Sequence, residues 1–598
     1  MKTTKFNRLG FSIALCALAA NAFAASPILV SNTNDAGEGS LRVAITKANE
    51  AGGGEIEFCV TGTITLSSPL ASLTNITISG PGTNLLTVSG SNRFQVFSMH
   101  CGTTNALSGL TIADGMMINY DNYMAYVCGA GISNSGCLKL LRCAIRGCAV
   151  IEGEVLYGGY PVSGGGIYNS GDLLMIDCEV ADCVSHGLWQ PCPGGGIAND
   201  GDLRMEDCTI SGCVAYNGAG TWNTANAYLT NCIITSCSAR EMHPQADGGG
   251  ILSEGTLTMH SCIVSNCEGF FGGGIDAWGG KCAITNSIIV DNSATLYGGG
   301  LFLEGTNVLV ACSVSGNGGG NGGGIYNYGG YQTANLRMFS CTVSANYDRN
   351  NGGGIYNDSA DLGMVNCTVS GNGGGPGGGI FMDGGSLTLI SSTICSNTGW
   401  GCGGIWNDSY GTVSSENCIF AGNVDTMGTG NDFYGLLTSE GYNLIQNTSG
   451  STIVGDETGN IYGAEPLLGP LQDNGGPTWT HALLPGSPTI DAGNSGDTLA
   501  FDQRGIHRPQ GLAPDIGAFE FQYATPMLVR MAVESCTNCC LILCGLSGGS
   551  YTLQTSTNLV NWSNVATNIA DVNGVCQFTE RGEGKCSRRF YRPLALGN

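Results

Sequence analysis

Charge is what this chain has least of. Only 11% of its 598 residues are Asp, Glu, Lys or Arg, against roughly 25% in a typical soluble protein. Lys and Arg number 22 and Asp and Glu 46, a formal net charge of −24. Phosphate binding needs a basic footprint, so nucleic acid and anionic membranes are excluded as partners. The six histidines are scattered and form no metal-spaced pair. There is no P-loop and no defensible Ser/His/Asp order. After residue 24 no apolar run reaches the length that spans a bilayer, so no transmembrane segment is expected in the mature chain.

Glycine and cysteine are abundant instead, at 98 and 29 residues. Glycine is organised. Gly-Gly-Gly-Ile-Tyr-Asn stands at 164–169, 322–327 and 352–357, and degenerate copies fill the interval from about residue 129 to 424. Aligned on the last glycine, copies from Gly166 to Gly404 recur every 24 to 30 residues. Such a period signifies stacked supersecondary units. Within a copy, Leu257 and Met259 alternate with Thr258, the periodicity of a strand. A triplet follows whose outer members are fixed, as in Cys208/Ile210 or Cys262/Val264, while the residue between is Thr, Glu, Ser, Ala or Ile. That middle residue is expected to point outward.

Five residues past each small residue lies another column. It reads Cys148, Cys183, Cys213, Cys237 and Cys267, then Asn292, Asn317, Asn346, Asn372, Asn397 and Asn423. In a parallel stack such residues lie roughly 4.8 Å apart, and asparagines can bond their amides up and down the ladder. Ankyrin and tetratricopeptide repeats share the period but need helix formers that this repeat lacks. The expected fold is all-β: a right-handed parallel β-helix with three short strands per coil, a short N-terminal capping helix and a small C-terminal β-sandwich. For the cysteines, stacked free thiols and vertical or within-coil disulfides both remain open, with metal thiolates a remote third reading.

Residues 1–24 have the pattern of a secretory signal: Lys2, Lys5 and Arg8, an apolar segment Phe11–Ala20, and Ala22-Phe23-Ala24 before cleavage. In the following segment Ser40 can cap a helix whose apolar face is Leu41, Ala44, Ile45 and Ala48. The four expected divisions are the signal at 1–24, the β-helix with its cap at 25–464, a C-terminal cap at 465–523 and a β-sandwich module at 526–598. In the cap, Asp473, Asp491, Asp502 and Asp515 are turn residues or, alternatively, calcium ligands. Calcium is the one candidate cofactor. In the last module Cys536, Cys539, Cys540, Cys544, Cys576 and Cys586 suggest disulfides over zinc.

The residue after each Gly-Ile is expected to face outward. It is Phe302, Tyr326, Tyr356, Phe381 and Trp406 in successive coils, with Trp222 in phase. Five coils make an aromatic stripe on the order of 19 Å long, suited to stacking on sugar rings or to packing on itself. Two residues further stand Asp358, Asp383 and Asp408. Neighbouring carboxylates would be roughly 4.8 Å apart and next-nearest ones roughly 9.6 Å, near the spacings of retaining and inverting glycosidases respectively. Asp in Asn-Asp-Ser is also ordinary turn chemistry.

Repeats ending in Gly-Gly-Gly-Ile and closing with Ser-Gly-Asn, at 315–317 and 370–372, resemble those of exported bacterial surface β-helix proteins, chlamydial polymorphic outer-membrane proteins among them. The turns Pro485-Gly-Ser-Pro-Thr-Ile-Asp-Ala-Gly493 and Asp515-Ile-Gly-Ala-Phe-Glu520 resemble the choice-of-anchor Q region. Tyr551–Trp562 and Arg589–Arg592 resemble the fibronectin-like module that ends exported verrucomicrobial proteins. These resemblances imply a secreted or cell-surface adhesin or scaffold, associated with the outer membrane or released, whose partners are surface glycans or other exported proteins. The alternative, carried by the aromatic and aspartate face, is a polysaccharide hydrolase or lyase of the pectinase-like β-helix type.

Overall fold

The computed structural model describes residues 26–119, 127–152, 162–187, 192–239, 247–330, 334–427, 431–496, 499–523, 527–535, 538–581 and 589–595. The expected signal at 1–24 lies outside them. The chain winds into a right-handed parallel β-solenoid of about 15 turns. One coil runs through strands Ile197–Asn199, Asp202–Glu206, Thr209–Ser211 and Val214–Ala215. Each pairs in parallel with its counterpart in the next coil: Ile197 lies opposite Thr221, Leu203 opposite Ala227, Ile210 opposite Ile234 and Val214 opposite Ser238. A coil therefore has four short strands, not the three expected from the repeat. The first two meet at a tight corner and belong to one sheet, so the stack presents three sheets.

That corner is held by the Asn of Gly-Ile-x-Asn. The buried Asn199 Nδ2 donates to Gly201 O of its own turn (2.8 Å) and to Asn223 Oδ1 in the next coil (2.8 Å). Asn134, Asn169, Asn199 and Asn223 form a continuous amide ladder at this position. The three glycines before it have separate causes. Gly164 adopts φ +69°, which a side chain resists. A Cβ on Gly165 would fall 2.2 Å from Val184 O, and one on Gly166 2.6 Å from Gly196 O. The chain crosses itself there with no room for a methyl group.

The Cys/Asn column behaves as the spacing implied. Each Nδ2 from Asn292 to Asn397 donates to the next Oδ1 at 2.9–3.0 Å, and Asn423 donates to Asp432 Oδ1 at 2.8 Å. The residue before the column turns left-handed, as at Asp291 (φ +55°) and Gly316 (φ +66°), which accounts for Ser-Gly-Asn. The described cysteines are free thiols. In the bore they stack and bond backbone carbonyls, as Cys232 Sγ does to Met205 O (3.5 Å). Burial pushes the Cys282 and Cys418 thiols up to about 12. Cys536 and Cys586 lie outside the described residues, and the Cys539 side chain is not described.

The helix Leu41–Glu50 forms as expected: Ser40 caps it by accepting from Val43 N, and Leu41, Ala44, Ile45 and Ala48 are buried. The segment at 465–523 differs from its expected place. It does not close the end of the stack but runs back along the outer face of the sheet containing Thr342–Ser344, Thr368–Ser370, Thr393–Cys395 and Ile419–Ala421. Gln503, almost fully buried, donates to Thr342 Oγ1 (2.8 Å) and accepts from Thr368 Oγ1 (2.6 Å). Ala518 N donates to Thr393 Oγ1 (3.0 Å), and Ile516 and Phe519 pack with Ile419. The outward residues of these coils are small or branched and uncharged, so the face needs a cover. Beyond it, Met527–Ser535, Asn538–Cys544 and Val575–Arg581 form one antiparallel sheet. Ser550–Ser556, Ser563–Ile569 and Phe590–Ala595 form another, and Leu541, Leu553 and Phe578 share the core between them.

Candidate functional site

The aromatic stripe is in register but turned to packing. Phe302 pairs with Tyr326, Tyr326 with Tyr356, Tyr356 with Phe381 and Phe381 with Trp406 on successive strands. Ring centroids along the column lie 4.9–6.4 Å apart at interplanar angles of 4–18°. Tyr434, which carries no Gly-Ile before it, extends the stack at 4.1 Å from Trp406. Phe271 and Tyr297 lie alongside, Tyr297 4.6 Å from Tyr326. Phe302, Tyr326, Tyr356 and Phe381 are only 3–8% exposed. These residues do point away from the bore, as the repeat implied, but their ring faces are occupied by one another. Exposure rises at both ends of the stack: Trp278, stacked on Phe302 at 6.1 Å, and Tyr434 are exposed, and Trp406 is half-buried.

The aspartates divide. Asp358 and Asp383 sit opposite each other on neighbouring coils. Each accepts a hydrogen bond from a stripe hydroxyl, Tyr326 to Asp358 Oδ2 (2.7 Å) and Tyr356 to Asp383 Oδ2 (2.6 Å). Burial, and then these carboxylates, push both phenols upward. Asp408 leaves the column: its strand ends at Asn407, and its carboxylate accepts from Ser409 N (2.7 Å) in an exposed turn. The Asp-Ser-Tyr-Gly turn follows sooner here than in the two preceding coils, so the third carboxylate never joins the other two.

Upstream in the same column is a residue the repeat did not single out. Asp276 lies opposite Leu252 and Phe302, fully buried, with both carboxylate oxygens unpaired. Burial, reinforced by Asp247, Glu254 and Glu304, pushes its pKa well up. The signal was present as Gly-Ile-Asp-Ala where other coils have aromatics. The candidate calcium ligands are engaged by donors: Asp473 by Gly475 N, Asp491 by Leu512 N and Tyr523 OH, Asp502 by Arg504, and Asp515 by Asp491 N. Among the described residues, no three His, Cys, Asp or Glu side chains converge as a metal site.

The geometry defines a right-handed parallel β-helix with a lateral C-terminal cover. A family model described as the right handed beta helix region matches residues 191–337, the part of the stack in which cysteine gives way to asparagine. No curated protein matches the chain.

Proposed function

We propose that this chain is exported and acts as a rigid β-helix adhesin or structural scaffold, displayed at a bacterial surface or released from it, with surface glycans as its first partner class and other exported proteins as the second. The observation that carries this reading is continuity of order along the rod. Unbroken amide bonding runs from Asn292 to Asp432, and a buried polar clamp from residues 465–523 braces the same coils. Such construction suits presentation of a fixed outer surface. That surface is polar, acidic in balance and poor in cations, with residues such as Asn231 and Asn286 exposed at its corners. Amide and hydroxyl corners of this kind suit polyhydroxylated ligands.

A hydrolytic reading rests on one arrangement, the Asp358–Asp383 rung with its two tyrosine hydroxyls. The test for both is a glycan-array screen of the purified chain, with reducing-end release assayed on every hit. Binding without release is the expected result. Release abolished by Asp383→Asn would make the protein a glycoside-cleaving enzyme.

A further inference from the structure

The outer corner between the second and third strands of each coil carries one residue in the left-handed conformation. In three consecutive coils it is Arg142 (φ +49°), Asp177 (φ +52°) and Asp207 (φ +54°). Here it borders a groove of about 630 Å³ that runs across coils from the loop at residues 80–83 to Thr209. That volume lies within the range of small-molecule sites, roughly 300–1,000 Å³.

Two features produce the groove. The outward position that is Glu179 and Thr209 in the next coils is Ala144 in this one, a side chain reduced to a methyl group. The loop at 80–83 forms the end wall and is fixed to the stack. Gly80 N donates to Ser108 O (2.8 Å), Gly82 N to Gly109 O (2.7 Å), and Thr111 Oγ1 to Thr83 O (2.8 Å). A wall tied this way is preorganised, so little ordering entropy is lost when a ligand enters.

The groove's chemistry is mixed and uncommitted. The exposed Arg142 guanidinium and Asp177 carboxylate make no hydrogen bond or ion pair with another described side chain, although cations are scarce in the chain. Asp207 accepts from Asn231 Nδ2 (3.2 Å) through one oxygen. Glu179 is already paired with Arg146. What remains is a donor fork and two acceptor groups on successive coils, spaced at roughly the 4.8 Å strand interval. There is no aromatic platform and no apolar floor large enough for a hydrophobic ligand. Two carboxylates, one without a partner among the described side chains and one with an oxygen to spare, outnumber the single guanidinium and repel polyanions.

We propose that this groove is a binding site for an uncharged oligosaccharide laid along the coil corners. Arg142 donates to ring or hydroxyl oxygens, and Asp177 and Asp207 each accept from paired hydroxyls of successive sugar units. The assignment rests on the glycan-directed reading above and places the contact on the corner groove, away from the buried aromatic column.

The test is titration of array-selected oligosaccharides into the full chain and into Arg142→Asn and Asp177→Asn, with far-UV circular dichroism as the folding control. Asparagine tolerates the left-handed conformation, so neither change strains the backbone. Binding of uncharged chains that weakens about tenfold or more in both variants is expected, the scale of one or two lost charge-assisted hydrogen bonds. Uncharged chains bound within twofold by both variants would overturn the groove and leave the glycan reading standing. Binding confined to uronate or sulfated chains would also overturn the groove. A wild-type protein that binds no oligosaccharide at all would overturn both.

Discussion

Replacing Asn346 with alanine removes an amide that serves both neighbouring coils. Its Oδ1 accepts from Asn317 N and Nδ2, and its Nδ2 donates to Asn372 Oδ1 and Val314 O. Each buried group left unpaired costs about 1–3 kcal/mol, so Asn346→Ala is expected to lose about 3–5 kcal/mol. Cys213→Ala, in the same column of the thiol half, empties the space of one sulfur and strands only a weak donor. Its expected cost is about 1–2 kcal/mol. Chemical denaturation of the two variants decides the matter, and equal losses would mean that the amide ladder adds nothing over a filled bore. This ladder was legible because its residues recur at a fixed phase. The corner asparagines recur in four successive coils, at Asn134, Asn169, Asn199 and Asn223, before the position passes to Ser253, Ala277 and Leu303. Yet the repeat alone did not show that these asparagines face inward, because a three-residue strand ends on them. Period fixes phase, but at a corner it does not fix direction.

The same limit applies to whole elements. Strand alternation located the second and third strands of every coil, and the helix Leu41–Glu50 was legible from its cap and apolar face. The outward direction of the aromatic column was also legible. Its burial was not, because burial depends on Phe271 and Tyr297, which come from a different strand of the preceding coils. The position of residues 465–523 was hidden for a related reason: contacts such as Gln503 to Thr342 span 161 residues. Within that segment Arg508 and Glu520 form an ion pair at 3.1 Å with both side chains 1% exposed, and Arg508 also donates to Asp515 O and Gly517 O. Arg508→Met leaves Glu520 buried without its cation, which is expected to cost about 3–5 kcal/mol. The loss should be local. Limited proteolysis is expected to cut within 465–523 while the coils upstream of Thr342 stay protected; simultaneous loss of protection along the whole rod would show that the cover is essential to the stack. In the aromatic column, Tyr356→Phe keeps the ring and deletes the hydroxyl that Asp383 accepts, at an expected cost of about 1 kcal/mol. Tyr356→Ala opens the stack and is expected to cost about 3–5 kcal/mol, with a loss of near-UV ellipticity.

At the scale of the molecule, the buried acids set how stability follows pH. Burial pushes Asp247 and Asp348 up to about 7, and raises Asp276 and Glu304 as well. In the unfolded chain such groups titrate near 4. Between roughly pH 4 and 7 the folded protein therefore holds more protons than the unfolded chain, and stability falls as pH rises through that window. The contribution of Asp247 and Asp348 is fully present below about pH 4 and lost above about pH 7, with Asp348 alone worth on the order of 4 kcal/mol. Net charge works in the same direction, because a chain at −24 relieves self-repulsion as its carboxylates take up protons. The two contributions separate at Asp276. Its column neighbours are Leu252 and Phe302, and neither of its oxygens has a partner. Asp276→Leu exchanges an unpaired buried acid for the residue its neighbouring coil already carries, and changes net charge by only one. The variant is expected to melt higher than wild type at pH 7.5, to match it near pH 4, and so to show a flatter stability profile between them. Thermal denaturation followed by circular dichroism across pH 4–8 measures this directly. A variant that melts lower than wild type at pH 7.5 would mean that the ionised carboxylate is stabilised where it stands, and that the acid buried in this column is paired to something it needs.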